Sequence, residues 1–175
     1  VNDNPVLLSA TSFMSNIDLL EGDNAISVRS CDAAGNCNNT VTHVFLDTAP
    51  PTIEVAAPKA DLLTKVGTLT VQGTVEECTK LTVNGKPVTF SGSAFAYDVT
   101  LKEGKNIILV EATDEVNNKV TVSLTVYLDT MPPLLTLNEP KDAIIVNTAE
   151  LTVSGTTENN AVVTVAGKKI TNTNG

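Results

Sequence analysis

Leu46-Asp47-Thr48-Ala49-Pro50-Pro51 and Leu128-Asp129-Thr130-Met131-Pro132-Pro133 carry one pattern twice, at an offset of 82 residues (128 minus 46). The same offset, without a gap, lays Leu69-Thr70-Val71-Gln72-Gly73-Thr74 on Leu151-Thr152-Val153-Ser154-Gly155-Thr156. It also lays Glu21-Gly22-Asp23-Asn24 on Glu103-Gly104-Lys105-Asn106, Phe13 on Phe95, and Val1-Asn2 on Val83-Asn84. Self-similarity that keeps register over a whole chain is the signature of tandem repeats. If each unit begins after Pro-Pro, residues 48–129 are one complete repeat. Residues 1–47 are then the back part of an earlier repeat and residues 130–175 the front part of a later one. The last piece stops near where the first begins, so the expectation is an excerpt from a longer array or a chain built to polymerise. The opening at Val1, without methionine, points the same way.

Within the complete repeat the periodicity is that of strands. Leu69 and Val71 alternate with polar residues, and so do Phe95, Tyr97, Val99 and Leu101, and later Ile108, Val110 and Ala112. Val120, Val122, Leu124 and Val126 mark the last strand. Thr52 to Val55 is a short apolar strand, with Pro58 ending it. Asn84-Gly85 after Lys80 to Val83 is a strong two-residue hairpin signal. Turns recur at Ser91-Gly92-Ser93, at Glu103-Gly104 and between Asp114 and Asn118, and no segment keeps a helical period. About seven strands with turns every 8–12 residues is the pattern of an immunoglobulin-like sandwich. The expected fold is all-β: tandem immunoglobulin-like β-sandwiches, one complete unit flanked by two partial units.

Taken together, Asp-Thr-x-Pro-Pro, Leu-Thr-Val-x-Gly-Thr, Val83-Asn84-Gly85, Leu-x-Glu-Gly-x-Asn and Asp32-Ala33-Ala34-Gly35-Asn36 resemble a bacterial Ig-like repeat of the glucodextranase B-domain type. The resemblance covers the whole chain. It implies the sandwich fold and a place in secreted hydrolases, surface-layer proteins, adhesins or extracellular filaments; fold does not decide among these. The second copy departs from the turn motif, with Asn117 in place of glycine in Asp114-Glu115-Val116-Asn117-Asn118. Asparagine tolerates positive φ next best after glycine, so the turn is expected to survive. Asp32 and Asp114 are expected to accept hydrogen bonds from their own turn amides.

Charge and inventory exclude several classes. The formal net charge is −9 with a pI near 4.4, the wrong sign for nucleic acid or anionic membrane surfaces. No run is long and apolar enough for a membrane span, and the first residues do not read as a charged-then-apolar signal peptide. There is one histidine and no tryptophan. No serine nucleophile motif, phosphate-cradling loop or paired catalytic carboxylates can be placed; the neighbours Glu76 and Glu77 read as pointing to opposite faces of a strand. His43, matching Thr125, reads as an outward strand residue with no second histidine to make it a metal ligand or base. A sugar platform would rest on Tyr97 and Tyr127, a thin inventory.

Cys31 and Cys37 flank the first Asp-x-x-Gly-Asn turn, on facing positions of a hairpin where they can close a disulfide. A loop this short gains roughly 2–2.5 kcal/mol on the chain-entropy model; the alternative is two free thiols in a reducing compartment. Thr113 and Lys119 stand at these positions in the next repeat, so the bridge belongs to one unit alone. Cys78 has no partner in the sequence and is either buried or pairs between molecules. Asp47 and Asp129 precede the Pro-Pro joints. They are weak Ca²⁺ candidates, since calcium wants six to eight oxygens, or caps of the linker turn; no other cofactor is expected.

These readings describe a structural segment of an extracellular stalk, surface protein or filament, completed head to tail by neighbouring copies or adjacent repeats through strand complementation. The alternative is an adhesin or a carbohydrate-binding accessory module of a secreted hydrolase, meeting a glycan or host surface. An enzyme is not expected.

Overall fold

In the computed structural model, residues 8–9 and 11–170 are described; the match of Val1-Asn2 with Val83-Asn84 lies outside them. The described residues contain strands and turns and no helix. In chain order β1 (Leu8–Ser9) and β2 (Ser12–Phe13) form a short hairpin, and β3 (Gly22–Cys31) and β4 (Cys37–Leu46) a long one. The complete repeat holds β5 (Thr52–Ala57), β6 (Leu62–Thr64), β7 (Thr68–Glu76), β8 (Lys80–Val83), β9 (Lys86–Val88), β10 (Phe90–Ser91), β11 (Ala94–Thr100), β12 (Gly104–Thr113) and β13 (Lys119–Leu128). The last part holds β14 (Leu135–Glu139), β15 (Ser154–Thr157), β16 (Val163–Val165) and β17 (Lys168–Ile170). The chain divides into two compact units, Val1–Leu128 and Asp129–Gly175.

The complete repeat is a two-sheet sandwich. One sheet has the order β10-β11-β7-β5 and the other β6-β13-β12-β8-β9. All pairings are antiparallel except β6 with β13, which run parallel through Val126↔Leu62, Tyr127↔Leu63 and Leu128↔Thr64. The alternation explains the layering, because successive strand residues face opposite sides. Val71, Leu81, Val83, Phe95, Ile108 and Val126 point between the sheets and are almost fully buried. Tyr97, Val120, Val122 and Ile53 pack against them from the margins. The strand after Pro-Pro is longer than expected and splits: β5 joins one sheet, Pro58 follows, and β6 crosses to the other.

Gly73 explains why the Leu-Thr-Val-x-Gly-Thr motif carries glycine. The β5–β7 register slips by one residue between Val55 and Ala57, a bulge that brings the Glu54 carbonyl onto the Gly73 α-carbon. A Cβ at Gly73 would occupy the place of that oxygen. The same bulge, between Leu137 and Glu139, sets Gly155 against Thr136.

The backbone thus repeats as the sequence does. The register Gly22↔Leu46 to Cys31↔Cys37 matches Gly104↔Leu128 to Thr113↔Lys119. Val163↔Ile170 matches Leu81↔Val88, and Leu135↔Thr157 matches Ile53↔Val75. Left-handed backbone recurs at Asp61 and Ala143, at Asn84 and Ala166, and at Gly35 and Asn117, the last pair at φ 87° and 74°.

What the partial units lack follows one rule. Hairpins with both strands in the same part form; residues whose counterparts in the complete repeat pair only outside that part do not form strands. Residues 150–153 are not a strand, although their counterparts in β7 pair with β11. Residues 144–146 are not a strand, although their counterparts in β6 pair with β13. Residues 14–18 likewise lack the strand that β11 forms on β7. Side chains follow the backbone. Phe95 is 4% exposed and Phe13 53%; Val126 is 0% and Val44 37%; Val71 is 0% and Val153 42%; Val88 is 8% and Ile170 48%. Phe13, which the offset lays on the buried Phe95, is therefore exposed.

Candidate functional site

The Asp-x-x-Gly/Asn-Asn turn is built twice in the same way. Asp114 Oδ1 accepts the amides of Val116 at 3.0 Å and Asn118 at 2.8 Å, and Asp32 Oδ1 those of Ala34 at 2.9 Å and Asn36 at 2.8 Å. Asn118 Nδ2 donates to Asp114 Oδ2 at 2.9 Å, as Asn36 Nδ2 does to Asp32 Oδ2. These bonds hold the Asp32 carboxyl below the usual range, the Asn36 side-chain amide contributing most and its backbone N–H next.

At Asn118 the turn does more than close a hairpin. Its amide also donates to the carbonyl oxygens of Asp47, 3.1 Å, and Ala49, 3.2 Å, in the Pro-Pro joint that leads into the repeat. From the other side Glu21 grips the same joint. Thr48 donates its N–H to Oε1 at 3.0 Å and its hydroxyl to Oε2 at 2.8 Å, which lowers the Glu21 pKa, the backbone bond being the larger cause. Asp47 Oδ1 accepts the Ala49 amide at 3.1 Å, and Asp129 Oδ1 the Met131 amide at 3.2 Å. Both calcium candidates therefore cap their own linker turns. Among the described residues no three His, Cys, Asp or Glu side chains gather as a metal site.

The joint borders a shallow, open cavity of about 560 Å³ lined by Glu21, Asp47, Glu77, Cys78, Asp114 and Glu115 among others. Glu77 stands just beyond β7 with φ 55°, so the expected opposed strand pair with Glu76 does not form. Cys78 is half-buried beside the core, its thiol donating to the Lys80 carbonyl at 3.1 Å.

Cys31 and Cys37 are disulfide-bonded at a Cα–Cα distance of 4.1 Å, on the facing positions expected of them. His43 is exposed, as an outward strand residue should be, and its Nδ1 meets the carboxylate of Asp23 at 2.9 Å. Tyr97 and Tyr127 lie on strands of different sheets, so they form no common platform. The Asn118 and Glu21 contacts escape sequence reading, since each partner lies 27 or more residues away. Only the repeated Asn after the turn glycine hints at them.

A two-sheet, helix-free unit with a parallel strand at one edge and a clamped proline joint at its entry is an immunoglobulin-like sandwich domain in a tandem array. Residues 51–130 match the family model described as glucodextranase, domain B, and the complete unit is similar to that domain. Bacillopeptidase F of Bacillus subtilis is 29% identical over 128 residues, 71% of this chain. The chain spans 9% of that protein's length. Among solved structures, the fibronectin(III)-like modules of Clostridium thermocellum CbhA align with 18% identity and a TM-score of 0.36, over 44% of this chain and 95% of theirs.

Proposed function

We propose that this chain is a structural segment of an extracellular stalk, surface protein or filament, in which Ig-like units hold a fixed spacing. The observation that carries this reading is the joint. Two prolines restrict the backbone, and side chains from the preceding unit (Glu21) and the following one (Asn118) grip the residues between. A linker meant only to connect needs neither grip. The Cys31–Cys37 disulfide supports an oxidising compartment outside the cytoplasm. Successive units, in one polypeptide or in neighbouring copies, are the partners.

Backbone NMR relaxation of the dilute chain tests the reading. Residues 47–51, prolines excepted, are expected to match the order parameters of β12 and β13, near 0.85 for rigid backbone, whereas values below about 0.6 would overturn it. A second reading, an accessory module of a secreted hydrolase, is favoured by the likeness to glucodextranase domain B and bacillopeptidase F. It is compatible with a spacer role unless the module binds glycan. Glycan-array binding that falls on Tyr97→Ala or Tyr127→Ala would favour recognition over spacing.

A further inference from the structure

The Cys31–Cys37 bridge lies on the open face of its hairpin, and one of its sulfurs has a cation beside it. Arg29, two residues before Cys31 on β3, brings a guanidinium nitrogen to 3.1 Å from Cys37 Sγ. Both cysteines are exposed. Their orientation does not depend on which strands flank the hairpin. The 82-residue offset lays Cys37 on Lys119, which is exposed within the complete sandwich. It lays Cys31 and Arg29 on Thr113 and Glu111, which alternate with the buried Ala112 and Val110 and so stand on the outward face of β12.

The complete repeat also shows that this hairpin keeps its shape without a bridge. β12 and β13 stay paired up to Thr113↔Lys119, the positions the cysteines occupy one repeat earlier. Asp114 ties that turn through the amides of Val116 and Asn118, and Asp32 ties the first turn through those of Ala34 and Asn36. Opening the bridge therefore leaves Cys31 and Cys37 facing each other, ready to close again. An exposed bridge of this kind is open to exchange, whereas a buried one is not.

We propose that Cys31–Cys37 is a thiol–disulfide exchange site whose substrate is a small thiolate, a reactivity separate from the spacer role. The incoming thiolate attacks Cys31 Sγ. A mixed disulfide forms there, the Cys31–Cys37 bond breaks, and Cys37 leaves with the electron pair as a thiolate. Arg29 fixes this direction, because a cation beside a sulfur stabilises its thiolate and a stabilised thiolate leaves faster. Once protonated from solvent, the Cys37 thiol has the Gly35 carbonyl oxygen as acceptor, at 3.5 Å. From the mixed disulfide two balanced outcomes follow. Cys37 returns and expels the small thiolate, restoring the bridge. Alternatively a second small thiolate attacks the first one's sulfur, so that two small thiols are oxidised to their disulfide while the bridge is reduced to two cysteine thiols.

Exchange of the oxidised chain with 2-mercaptoethanol, stopped by alkylation and mapped by tandem mass spectrometry, tests this. The adduct is expected on Cys31 and the alkyl group on Cys37, with Cys78 read separately in the same map. Reduction should proceed without denaturant, and the amide resonances of β5 to β13 should stay in place. Arg29→Gln should slow the reaction about two- to fivefold, as loss of one exposed charge contact does. Arg29→Lys should keep most of the rate, and salt near about 1 M should erase the difference between Arg29 and Arg29→Gln. Cross-strand Overhauser contacts between β3 and β4 in the reduced chain and in each variant report that the hairpin persists. An adduct on Cys37, an Arg29→Gln rate equal to wild type, or reduction no faster than global unfolding overturns the proposal. None of these readouts bears on the order parameters of residues 47–51, which test the spacer reading.

Discussion

The side-chain amide of Asn118 reaches back to the carbonyl oxygen of Asp47, 71 residues earlier in the chain, at 3.1 Å. A single turn residue thereby fastens the joint that leads into its repeat to the hairpin that closes it.

Removing that bond should loosen the joint more than the sandwich. Asn118→Ala loses the bonds to Asp47, Ala49 and Asp114. A cost of about 1–2 kcal/mol is expected from neutral and charge-assisted bonds at a half-open site. Chemical denaturation measures it, and heteronuclear relaxation should place the new motion at residues 47–49.

Gly73→Ala should be among the most damaging small substitutions in the complete repeat. The added methyl meets the Glu54 backbone, which cannot step aside without breaking the bulge. Overpacking of this kind costs about 1–3 kcal/mol. Gly67→Ala is the control, since a Cβ there meets nothing within 4 Å and the backbone is not left-handed. Equal melting temperatures for the two variants would refute the account of the motif glycine.

Reducing Cys31–Cys37 should act locally. The bridge closes a loop with a sequence separation of 6 at the tip of the β3–β4 hairpin. Its loss removes roughly 2–2.5 kcal/mol on the chain-entropy model. Amide exchange in β3 and β4 should accelerate, while β12 and β13, which carry Thr113 and Lys119 instead, keep their protection.

Acid should release the grip of Glu21 on Thr48 later than an ordinary glutamate would titrate. The bonds from Thr48 stabilise the carboxylate, so the folded pKa lies below the unfolded one. Stability from this contact is therefore fully present above the unfolded pKa and is lost as pH falls through the lower, folded value. Following the Thr48 amide resonance through an acid titration should show the bond surviving into the lower end of the carboxylate range. In Glu21→Gln the acid step should vanish.

Residue patterns carried most of the sandwich, for reasons that are local. Phe95-x-Tyr97-x-Val99 and Ile108-x-Val110-x-Ala112 alternate over enough residues to declare a face, and Asn117 could be read into left-handed backbone because a glycine stands at Gly35. Leu62–Thr64 is too short to show a period, and its parallel partner lies more than sixty residues on, so β6 was illegible. Phe13 shows a complementary failure: alternation says which way a side chain would face, while burial needs the opposite sheet. The joint contacts were hidden because Asn118 and Glu21 act through side-chain reach across the fold, which leaves no periodic trace.

The parallel ladder of β6 on β13 has a mechanical meaning. Parallel neighbours run N to C in the same direction, so a pull between the two ends of the repeat drags Leu62–Thr64 and Val126–Leu128 past one another lengthwise. Their cross-links are then strained side by side and must yield together, whereas a hairpin pulled open at its free ends surrenders its rungs one at a time. A domain wired this way resists stretching more than its modest core would suggest.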